Sequence, residues 1–571
     1  MRSVAAVPAR GLAVASSIVT MLAASVAPGP ALAAPAGQTA AIQLHASELA
    51  LWNSHRRRAL TAMGEIALAQ RLGLWHPARV ASVPAAGGPA PTAAGAATSS
   101  NVPVSNPGED HSIPCNTQSE TTVVAVDALH LVAAFNDSSA GCSVLTSYTG
   151  WAHSSDGGHS WVDAGSIQPA SGGFVAGDPA LATDRQGRVF LADMENAPGA
   201  RPVYPAFLGG RGLIAVHVSR DMGTTFGPAV DATAGAAGTW DKPMIAVDNT
   251  GGPHDGTVYV AYTDLSGGGG RGRIMFSRST DHGASFAPPI ALSDAQAYNQ
   301  GAVPAVGPDG QVYVTWGTQL SPIVRIWFTV SRDGGATFAD PRLIRAYRPP
   351  GQYSAKCGRE AMNNDIRMLS WPVMAVDTTP LTAPPSGRRY RGTIYIAFAA
   401  ARNLDEGDIY LIRSTDGGRT WSGGRAAPKS DGTPYWDPPG VRLNDDSGHH
   451  DQFMASITSR SGGAAAVTWF DRRADPADIR FEVWGATTTD GGLTWSRNQR
   501  ISDGSSIGVG NNATGQTVDD PGVATCYMGD YNQVVPLTSG YGLAWGDNRD
   551  PYLAATPLAR PDPNVYWSAF R

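Results

Sequence analysis

Charged side chains are scarce in this chain of 571 residues, and neither sign dominates. Asp, Glu, Lys and Arg together make up 16% of the sequence, and the formal net charge is −6. A charge this sparse and slightly negative creates no global field that attracts nucleic acid or an anionic membrane surface. The composition therefore predicts no nucleic-acid partner.

Long apolar runs are missing after the first 34 residues, so we expect no membrane span in the mature protein. Residues 1–33 have the features of an export signal. Arg2 and Arg10 precede a mostly small and apolar stretch, and residues 31–33, Ala-Leu-Ala, form a cleavage site. The apolar stretch is short and interrupted by proline, which argues against an anchor. The mature protein is therefore expected to be secreted, extracellular or periplasmic.

Cysteine is also rare, and the four copies are Cys115, Cys142, Cys357 and Cys526. No C-x-x-C spacing occurs, which argues against a zinc site of the common type. In an exported protein the four side chains predict disulfides. Cys115 and Cys142 flank a predicted strand pair and are suited to bridge each other, which leaves Cys357 for Cys526. Four cysteines allow three pairings, and the sequence does not choose among them.

The N-terminal region differs from the rest of the chain in composition. In residues 34–76 apolar and charged side chains alternate irregularly, which predicts a short helical segment. Residues 77–100 are nearly all Ala, Pro, Gly, Ser and Thr, which is typical of a flexible linker. From residue 101 to residue 571 the pattern changes to repeated short strands. We predict one domain there.

One motif, Ser/Thr-x-Asp-x-Gly-x-Ser/Thr-aromatic, occurs six times in this domain. Its first copy starts at Ser154 and ends at Trp161. The Asp and the hydroxyl side chain are suited to accept backbone N–H groups, and Gly at the fifth position tolerates a positive φ. We predict a structural role for these Asp-boxes, because one Asp in each turn offers too few oxygen atoms for calcium. The central aspartates are Asp156, Asp221, Asp281, Asp333, Asp416 and Asp490.

A second pattern, a strand pair of the Ala-Val-Asp…Val-Tyr-Val-Ala type, accompanies the boxes. Seven such pairs can be found against six boxes. The last unit ends with a third strand at 564–570, and the segment near 101–105 is suited to supply its fourth strand. That pairing would close a ring and remove an exposed sheet edge. We predict an all-β β-propeller of four-stranded blades, with seven blades favoured over six.

These boxes, strand pairs and the export signal resemble the sialidase-like superfamily of BNR-repeat propellers over residues 101–571. The resemblance implies a propeller with the Asp-boxes on the face opposite the active site. It also implies an arginine cluster for a substrate carboxylate, an Asp acid, and a Tyr nucleophile activated by a Glu. Sialidases are exceptions to the two-carboxylate scheme of most glycosidases.

Long loops at 339–370, 422–449 and 496–528 carry the acidic, basic and aromatic residues suited to such a site. We predict Glu360, Tyr531 and Asp193 as the catalytic residues. Tyr527 is the alternative nucleophile, and Asp137 or Asp451 is the alternative acid. The predicted substrate-binding residues are Arg359, Arg367, Arg473, Arg549, Trp371, Trp436 and Asp451.

The sequence departs from the family at one motif. The Arg-Ile-Pro motif before the first box is absent, and His111-Ser-Ile-Pro114 stands there without an arginine. The first hypothesis is an exo-glycosidase of the exo-α-sialidase type that acts on terminal acidic sugars of glycans. The alternatives are a non-catalytic propeller that binds glycan or protein, and a polysaccharide-cleaving enzyme of other specificity. We expect a monomer without cofactor, although the many aspartates also allow a calcium ion in the central channel.

Overall fold

A computed structural model of the chain describes residues 101–109, 116–138, 147–169, 173–196, 212–267, 271–295, 298–320, 323–357, 359–369, 371–402, 405–423, 435–508, 523, 526–552 and 560–571. All of them belong to the larger of two compact units, Glu48–Arg571; the smaller is Met1–Ser47. The predicted export signal, helical segment and linker lie outside the described residues, as do Cys115 and Cys142. No helix in the described ranges is long and apolar enough to cross a bilayer.

Strands dominate the described residues, which contain only one α-helix, α1 (Pro385–Arg388), and a 3-10 turn at Pro107–Glu109. In chain order the strands are β1 (Val102–Pro103), β2 (Gln118–Ala125), β3 (Leu131–Asp137), β4 (Thr149–Ser154), β5 (Val162–Ser166), β6 (Phe174–Thr183), β7 (Val189–Asn196), β8 (Gly212–Ser219), β9 (Val230–Asp231), β10 (Trp240–Val247), β11 (Val258–Asp264), β12 (Arg273–Ser279), β13 (Ile290–Ala291), β14 (Asn299–Val306), β15 (Val312–Leu320), β16 (Ile323–Ser331), β17 (Arg342–Tyr347), β18 (Gln352–Ser354), β19 (Arg359–Met362), β20 (Ile366–Arg367), β21 (Val373–Val376), β22 (Ile394–Arg402), β23 (Asp405–Ser414), β24 (Val441–Arg442), β25 (Gln452–Arg460), β26 (Ala464–Asp471), β27 (Arg480–Thr488), β28 (Gln499–Arg500), β29 (Ser506–Ile507), β30 (Gln533–Pro536), β31 (Tyr541–Tyr552) and β32 (Arg560–Phe570).

Most of these strands form antiparallel sheets of four strands that follow one another along the chain. Six sheets run β2 to β5, β6 to β9, β10 to β13, β14 to β17, β21 to β24 and β25 to β28, and β29 adds to the sixth through β27. The seventh has the order β1-β32-β31-β30, and β18 to β20 form a separate three-stranded sheet. The first strand of each sheet contacts the first strand of the next, and β30 contacts β2. The inner strands therefore form a closed cycle, as in a β-propeller.

The second strand of each sheet is apolar on both faces. In β11, for example, Val258 to Tyr262 are all fully buried. A strand buried on both faces reads as a nearly continuous apolar run, because a neighbouring sheet covers each side. Large aromatic side chains fill the space between the sheets, as Tyr259, Phe276 and Trp316 do between the third and fourth sheets. The Val-Tyr-Val-Ala pattern of the sequence is this buried second strand.

The chain closes its own ring through its first described strand. Val102 pairs with Trp567 and Pro103 with Tyr566, antiparallel, at the edge of the seventh sheet. Val104 N–H continues the ladder by donating to Val565 O at 2.8 Å. The predicted pairing of the segment near 101–105 with the last sheet is confirmed. It covers a sheet edge that would otherwise expose unpaired backbone groups.

Each Asp-box closes its turn with the same set of hydrogen bonds. In the first box the Ser154 hydroxyl donates to Asp156 Oδ1 at 2.8 Å and accepts Gly158 N–H at 2.9 Å. Asp156 then accepts both the backbone N–H and the hydroxyl of Ser160, at 2.9 and 2.6 Å. Gly158 has φ +88°, and a Cβ there would lie 2.3 Å from Trp567. The turn therefore requires glycine both for its backbone angle and for its packing.

These bonds make the boxes sensitive to acid. Burial raises the pKa of Asp490, but hydrogen bonds from Thr494 outweigh it and lower the pKa to about 2. Because the ordinary value is about 3.9, Asp490 stabilises the fold above about pH 4, and this contribution is lost as the pH falls towards 2. We expect thermal unfolding to shift to lower temperature between about pH 5 and pH 3. This shift in unfolding temperature should be smaller in Asp490→Asn than in the wild type. In Asp340→Asn, a variant at an exposed position, it should equal that of the wild type. Equal shifts in all three proteins would contradict the assignment.

Candidate functional site

Five of the inner strands carry a bulge at a corresponding place, and one residue in each has a left-handed backbone. The φ angles are +52° at Glu120, +57° at Asp178, +55° at Lys242, +66° at Gly301 and +56° at Met454. Pairing with the second strand shifts register at each of them. A bulge re-aims a side chain, and non-glycine residues with positive φ are rare and concentrate at functional sites. The bulges therefore mark the place to look for a site.

The first three of these side chains meet around one ammonium group. Lys242 Nζ lies 3.2 Å from Glu120 Oε1, 3.2 Å from Asp530 Oδ2 and 3.9 Å from Asp178 Oδ2. All four side chains are buried, with at most 1% of any of them exposed. A buried ammonium needs compensating charge, and three carboxylates supply it. We call Glu120, Asp178, Lys242, Asp530 and the neighbouring Arg367 the central cluster.

Arg367 holds Asp530 from a second direction. Its Nη2 donates to Asp530 Oδ2 at 2.6 Å and its Nε donates to Oδ1 at 3.2 Å. The planar guanidinium fork matches a carboxylate in this two-bond arrangement. The Arg367 N–H donates to Cys526 O at 3.0 Å, and Cys526 is disulfide-bonded to Cys357. The bridge therefore lies directly beside the ion pair.

Aromatic rings surround the two cations of the central cluster. Lys242 Nζ lies 4.6 Å from the centroid of the Trp371 ring and 4.5 Å from that of Tyr531. The Arg367 guanidinium lies 4.7 Å from the ring centroid of Tyr527. Cation–π contacts of this kind are strongest where water is excluded. A Cβ at Gly301 would lie 2.3 Å from the Trp371 ring, so glycine at that bulge leaves room for the ring.

Two carboxyl groups of the cluster have pKa values displaced in opposite directions. Burial, followed by the charge of Asp178, raises the pKa of Glu120 well above its usual range. Burial acts the same way on Asp530, but Arg367 and Lys242 outweigh it and hold the pKa of Asp530 well below its usual range. Burial therefore favours the protonated form of Glu120, whereas the two cations favour the ionised form of Asp530. Such a pair is suited to acid–base chemistry.

The two tyrosines beside the cluster remain phenols. Burial raises the pKa of both Tyr527 and Tyr531 well above the usual range, and the nearby carboxylates add to the effect. The Tyr531 hydroxyl donates to Pro179 O at 2.8 Å, and Tyr527 Oη accepts Asn136 Nδ2–H at 2.8 Å. These bonds fix both rings against the first two sheets.

A small cavity adjoins the central cluster. Its volume is about 40 Å³, and Trp371, Asp530, Tyr531 and Met454 are among the residues that line it. A water molecule needs roughly 10–15 Å³ of such space, whereas ligand pockets measure roughly 300–1,000 Å³. The cavity accommodates water but is too small for a sugar ring.

Five of the residues predicted from the sequence lie at this place. Arg367 belongs to the cluster, and Trp371, Tyr527 and Tyr531 contact it as described above. Arg359 is 1% exposed, and its charge contributes to the lowered pKa of Asp530. Glu360 follows Arg359 on β19 and is partly buried. The sequence was therefore informative about the arginines and aromatic residues around the centre.

Asp193, the predicted acid, lies elsewhere. His217, Glu195 and Thr149 are the groups that act on its carboxyl, and all belong to the first and second sheets. The charges that act on Tyr531 come from another set, which includes Glu120 and Asp530. The structure therefore does not bring Asp193 together with Tyr531.

Two further predicted arginines are bound to carboxylates at the ends of second strands. Arg473 Nη2 lies 2.8 Å from Asp471 Oδ2, and its guanidinium stacks 4.3 Å from the centroid of Trp484. Arg549 Nη2 lies 2.6 Å from Asp547 Oδ2. Each arginine pairs with the aspartate two residues before it, within its own sheet. These two ion pairs therefore involve no residue of the central cluster.

The last two predicted binding residues also have local partners. Asp451 Oδ2 lies 3.4 Å from Arg472 Nη1, and both side chains are buried. The Trp436 ring has Arg345 at 5.5 Å from its centroid. Asp451, Arg473, Arg549 and Trp436 therefore each contact a partner of their own.

Glu120, Asp178 and Lys242 were missed because the predicted site residues came from long loops and strand ends, whereas these three lie within or beside bulged inner strands. The sequence spacing of Asp178 and Lys242 could have identified them. Asp178 and Lys242 each precede a proline, and they stand six residues before Asp184 and Asp248 respectively. Charged residues at a fixed place inside otherwise apolar inner strands are unusual and deserve a functional or structural explanation.

The repeated turns and the order of the sheets define the fold. Six Asp-boxes with one set of hydrogen bonds connect the third and fourth strands of six four-stranded sheets, and the inner strands of the sheets form a closed cycle. The fold is a β-propeller with Asp-box turns. No family model matches the chain, and no curated protein matches it either.

Solved structures similar to this propeller include three enzymes. The microbial sialidase Hz136 is 14% identical, with 74% of this chain and 73% of that chain covered and a TM-score of 0.37. The α-L-arabinofuranosidase Arb93A from Fusarium graminearum is 12% identical, with 68% and 97% covered and a TM-score of 0.38. The intramolecular trans-sialidase from Ruminococcus gnavus is 13% identical, with 80% and 95% covered and a TM-score of 0.34. At this level of similarity their activities do not transfer to this chain.

Proposed function

We propose that this Asp-box propeller is an exported glycoside hydrolase whose proton transfers are carried by Glu120 and Asp530. The observation that supports the proposal is the opposite displacement of their pKa values around one ammonium group, that of Lys242. Glycosidic bonds are cleaved by a carboxylic acid that protonates the leaving oxygen and a second, ionised carboxylate. Export is supported by the Cys357–Cys526 disulfide, which is typical of oxidising compartments.

The roles follow from the charges. Glu120, whose protonated form is favoured by burial, is the general acid that protonates the departing oxygen. Asp530, kept ionised by Arg367 and Lys242, activates the attacking water or stabilises the positive charge that develops on the sugar. Because the acid must hold its proton, activity is expected to fall as the pH rises through the raised pKa of Glu120.

A sugar can reach Glu120 and Asp530 only if the residues around them move. Asp530, Tyr531 and Trp371 line a cavity of about 40 Å³, which is far smaller than a sugar ring needs. We propose that the cavity widens when a glycan binds, with Trp371 offering an aromatic face to the sugar. Terminal acidic sugars would place their carboxylate near Arg359 and Arg367. A substrate carboxylate must then compete with Asp530 for Arg367, whereas a neutral sugar need not.

Hydrolysis of a panel of fluorogenic glycosides, both acidic and neutral, tests the proposal. The wild type should release the fluorophore from at least one of them. Glu120→Gln and Asp530→Asn should each lower kcat/KM by at least about 100-fold. Asp437→Asn, which removes an exposed carboxylate paired with Arg402, should leave the rate unchanged. Thermal unfolding of each variant distinguishes lost chemistry from lost structure. A folded Glu120→Gln protein with the wild-type rate would exclude Glu120 as the acid.

A second candidate function is glycan binding without cleavage, which a cleft between the third and fourth sheets favours. The cleft has a volume of about 500 Å³, within the range of ligand pockets. Trp316, Trp327 and Arg325 line it together with Asn299 and Asp294. Aromatic faces with a few polar groups suit a sugar. Glycan binding that Trp327→Ala weakens, in a protein that cleaves no glycoside, would favour this candidate.

A further inference from the structure

A second buried group of ionisable side chains lies in the second sheet, apart from the central cluster. Asp193 and Glu195 stand two residues apart on β7, so they lie on the same face of the strand, and His217 lies on the adjacent β8. The exposed fraction of each side chain is at most 1%. One ligand atom from each of the three lies within 4.8 Å of the other two.

The backbone determines which nitrogen of His217 faces the carboxylates. Nδ1 lies 2.9 Å from Gly227 O, and because a carbonyl oxygen only accepts, Nδ1 carries a hydrogen atom. The other nitrogen, Nε2, lies 2.8 Å from Glu195 Oε1 and 3.9 Å from Asp193 Oδ1. A histidine held by a backbone carbonyl at one nitrogen and directed at carboxylates with the other has the orientation of a metal ligand.

The carboxylates of this group have few hydrogen bonds. Oε2 of Glu195 is buried and accepts none. The carboxylate of Asp193 is fully buried, and the Thr149 hydroxyl of the first sheet is the side-chain hydrogen-bond donor that acts on it. Nearly all buried polar atoms in proteins are paired, and a poorly paired carboxylate is especially costly. Two such carboxylates around one imidazole nitrogen form a donor set that suits a cation.

We propose that Asp193, Glu195 and His217 bind one divalent transition-metal cation, with His217 coordinating through Nε2. Metal–ligand bonds of roughly 2.0–2.2 Å place neighbouring ligand atoms roughly 3–4 Å apart. The separations of 2.8 and 3.9 Å at His217 Nε2 need only small adjustments to reach that spacing. One imidazole with two carboxylates and no thiolate suits Zn²⁺ or Mn²⁺.

The burial of the three ligands defines what the metal does. A site closed to solvent is structural, because a catalytic metal keeps a position open to substrate. All three ligands come from neighbouring strands of the second sheet, so the ion links β7 to β8. This assigns Asp193 a role other than the predicted acid, and it is independent of the hydrolase proposed above. The proposed metal site is also distinct from the calcium ion that the sequence allows in the central channel, and that ion stays a prediction.

Metal content and reconstitution test the proposal on the full chain. Protein purified without chelator is analysed by mass spectrometry of its metals, then stripped with EDTA and titrated with Zn²⁺, Mn²⁺ and Co²⁺. We expect one ion per chain, and a visible Co²⁺ spectrum that shows nitrogen and oxygen ligands. His217→Gln and Asp193→Asn should each weaken binding by at least about tenfold. They should also abolish the rise in unfolding temperature that the metal gives the wild type.

His130→Gln is the matched control, because His130 Nδ1 also faces a carboxylate, Asp127 Oδ2, at 2.9 Å, but in an exposed pair without a third ligand. Its metal content should equal that of the wild type. If the stripped wild type gains neither bound metal nor stability, the three residues form a buried ion pair only and the proposal is wrong. Because this readout uses the wild type, it stands even if the His217 and Asp193 variants fail to fold. Equal loss of metal in His130→Gln would also overturn the assignment.

Discussion

Lys242→Met is expected to lower the free energy of unfolding by about 3–5 kcal/mol, because it leaves the buried carboxylates of the central cluster without their shared cation. The ammonium lies within 4 Å of Glu120, Asp178 and Asp530, and its side chain is fully buried. Methionine has nearly the length of lysine, so the variant removes the charge with little change in packing. The loss should become smaller as the pH falls from 7 towards 4, because the freed carboxylates then take up protons.

Urea unfolding followed by tryptophan fluorescence measures this effect. Lys356→Met is the matched control, since Lys356 Nζ lies 2.9 Å from Asp365 Oδ2 in an ion pair that remains partly exposed. Its removal should cost less than about 1 kcal/mol. Similar losses for the two variants would show that Lys242 is not the centre of a buried charge cluster.

Removing the Cys357–Cys526 disulfide is expected to cost about 2–5 kcal/mol of stability. The bridge joins residues separated by 169 positions, and closing so long a loop removes much conformational freedom from the unfolded chain. It also lies beside the ion pair of Arg367 and Asp530, because Arg367 N–H donates to Cys526 O. The double variant Cys357→Ser/Cys526→Ser should therefore lose stability and, if the chain hydrolyses glycosides, also activity.

The measurement is the urea concentration at which half of the protein is unfolded, for the double variant and for Ser354→Ala. The Ser354 hydroxyl accepts the Cys357 N–H at 3.3 Å, so this control perturbs the same turn and keeps the bridge. Its unfolding midpoint should remain close to that of the wild type. A double variant as stable as Ser354→Ala would mean that the bridge contributes little to the folded state.

Local patterns made the fold predictable. An Asp-box is a turn whose hydrogen bonds lie within seven residues, as from Ser154 to Ser160, so its sequence alone specifies it. The buried second strands are equally easy to recognise in the sequence, because a strand whose two faces are both covered by other sheets needs a nearly continuous apolar run. Counting these strands against the boxes predicted the closure of the seventh sheet by β1, which the pairing of Val102 with Trp567 confirms.

The candidate site was less predictable, because its parts are distant in the chain and their environment is created by folding. Glu120 and Asp530 meet at one ammonium although 410 residues separate them. Side chains such as Arg473 and Arg549, which were predicted to bind substrate at the ends of second strands, instead pair with the aspartates two residues before them. A sequence shows that charges exist but not which opposite charge each will find.

By itself, then, the sequence determined the all-β class, the position of every Asp-box and the strand that closes the ring. These features depend on contacts between near neighbours or on a simple alternation of burial. Only the tertiary structure decided that the pKa of Glu120 is raised while that of Asp530 is lowered, and that Asp193 lies beside His217. The physical reason is that burial and the nearest charges set a pKa, and both come from residues that only the folded chain brings together.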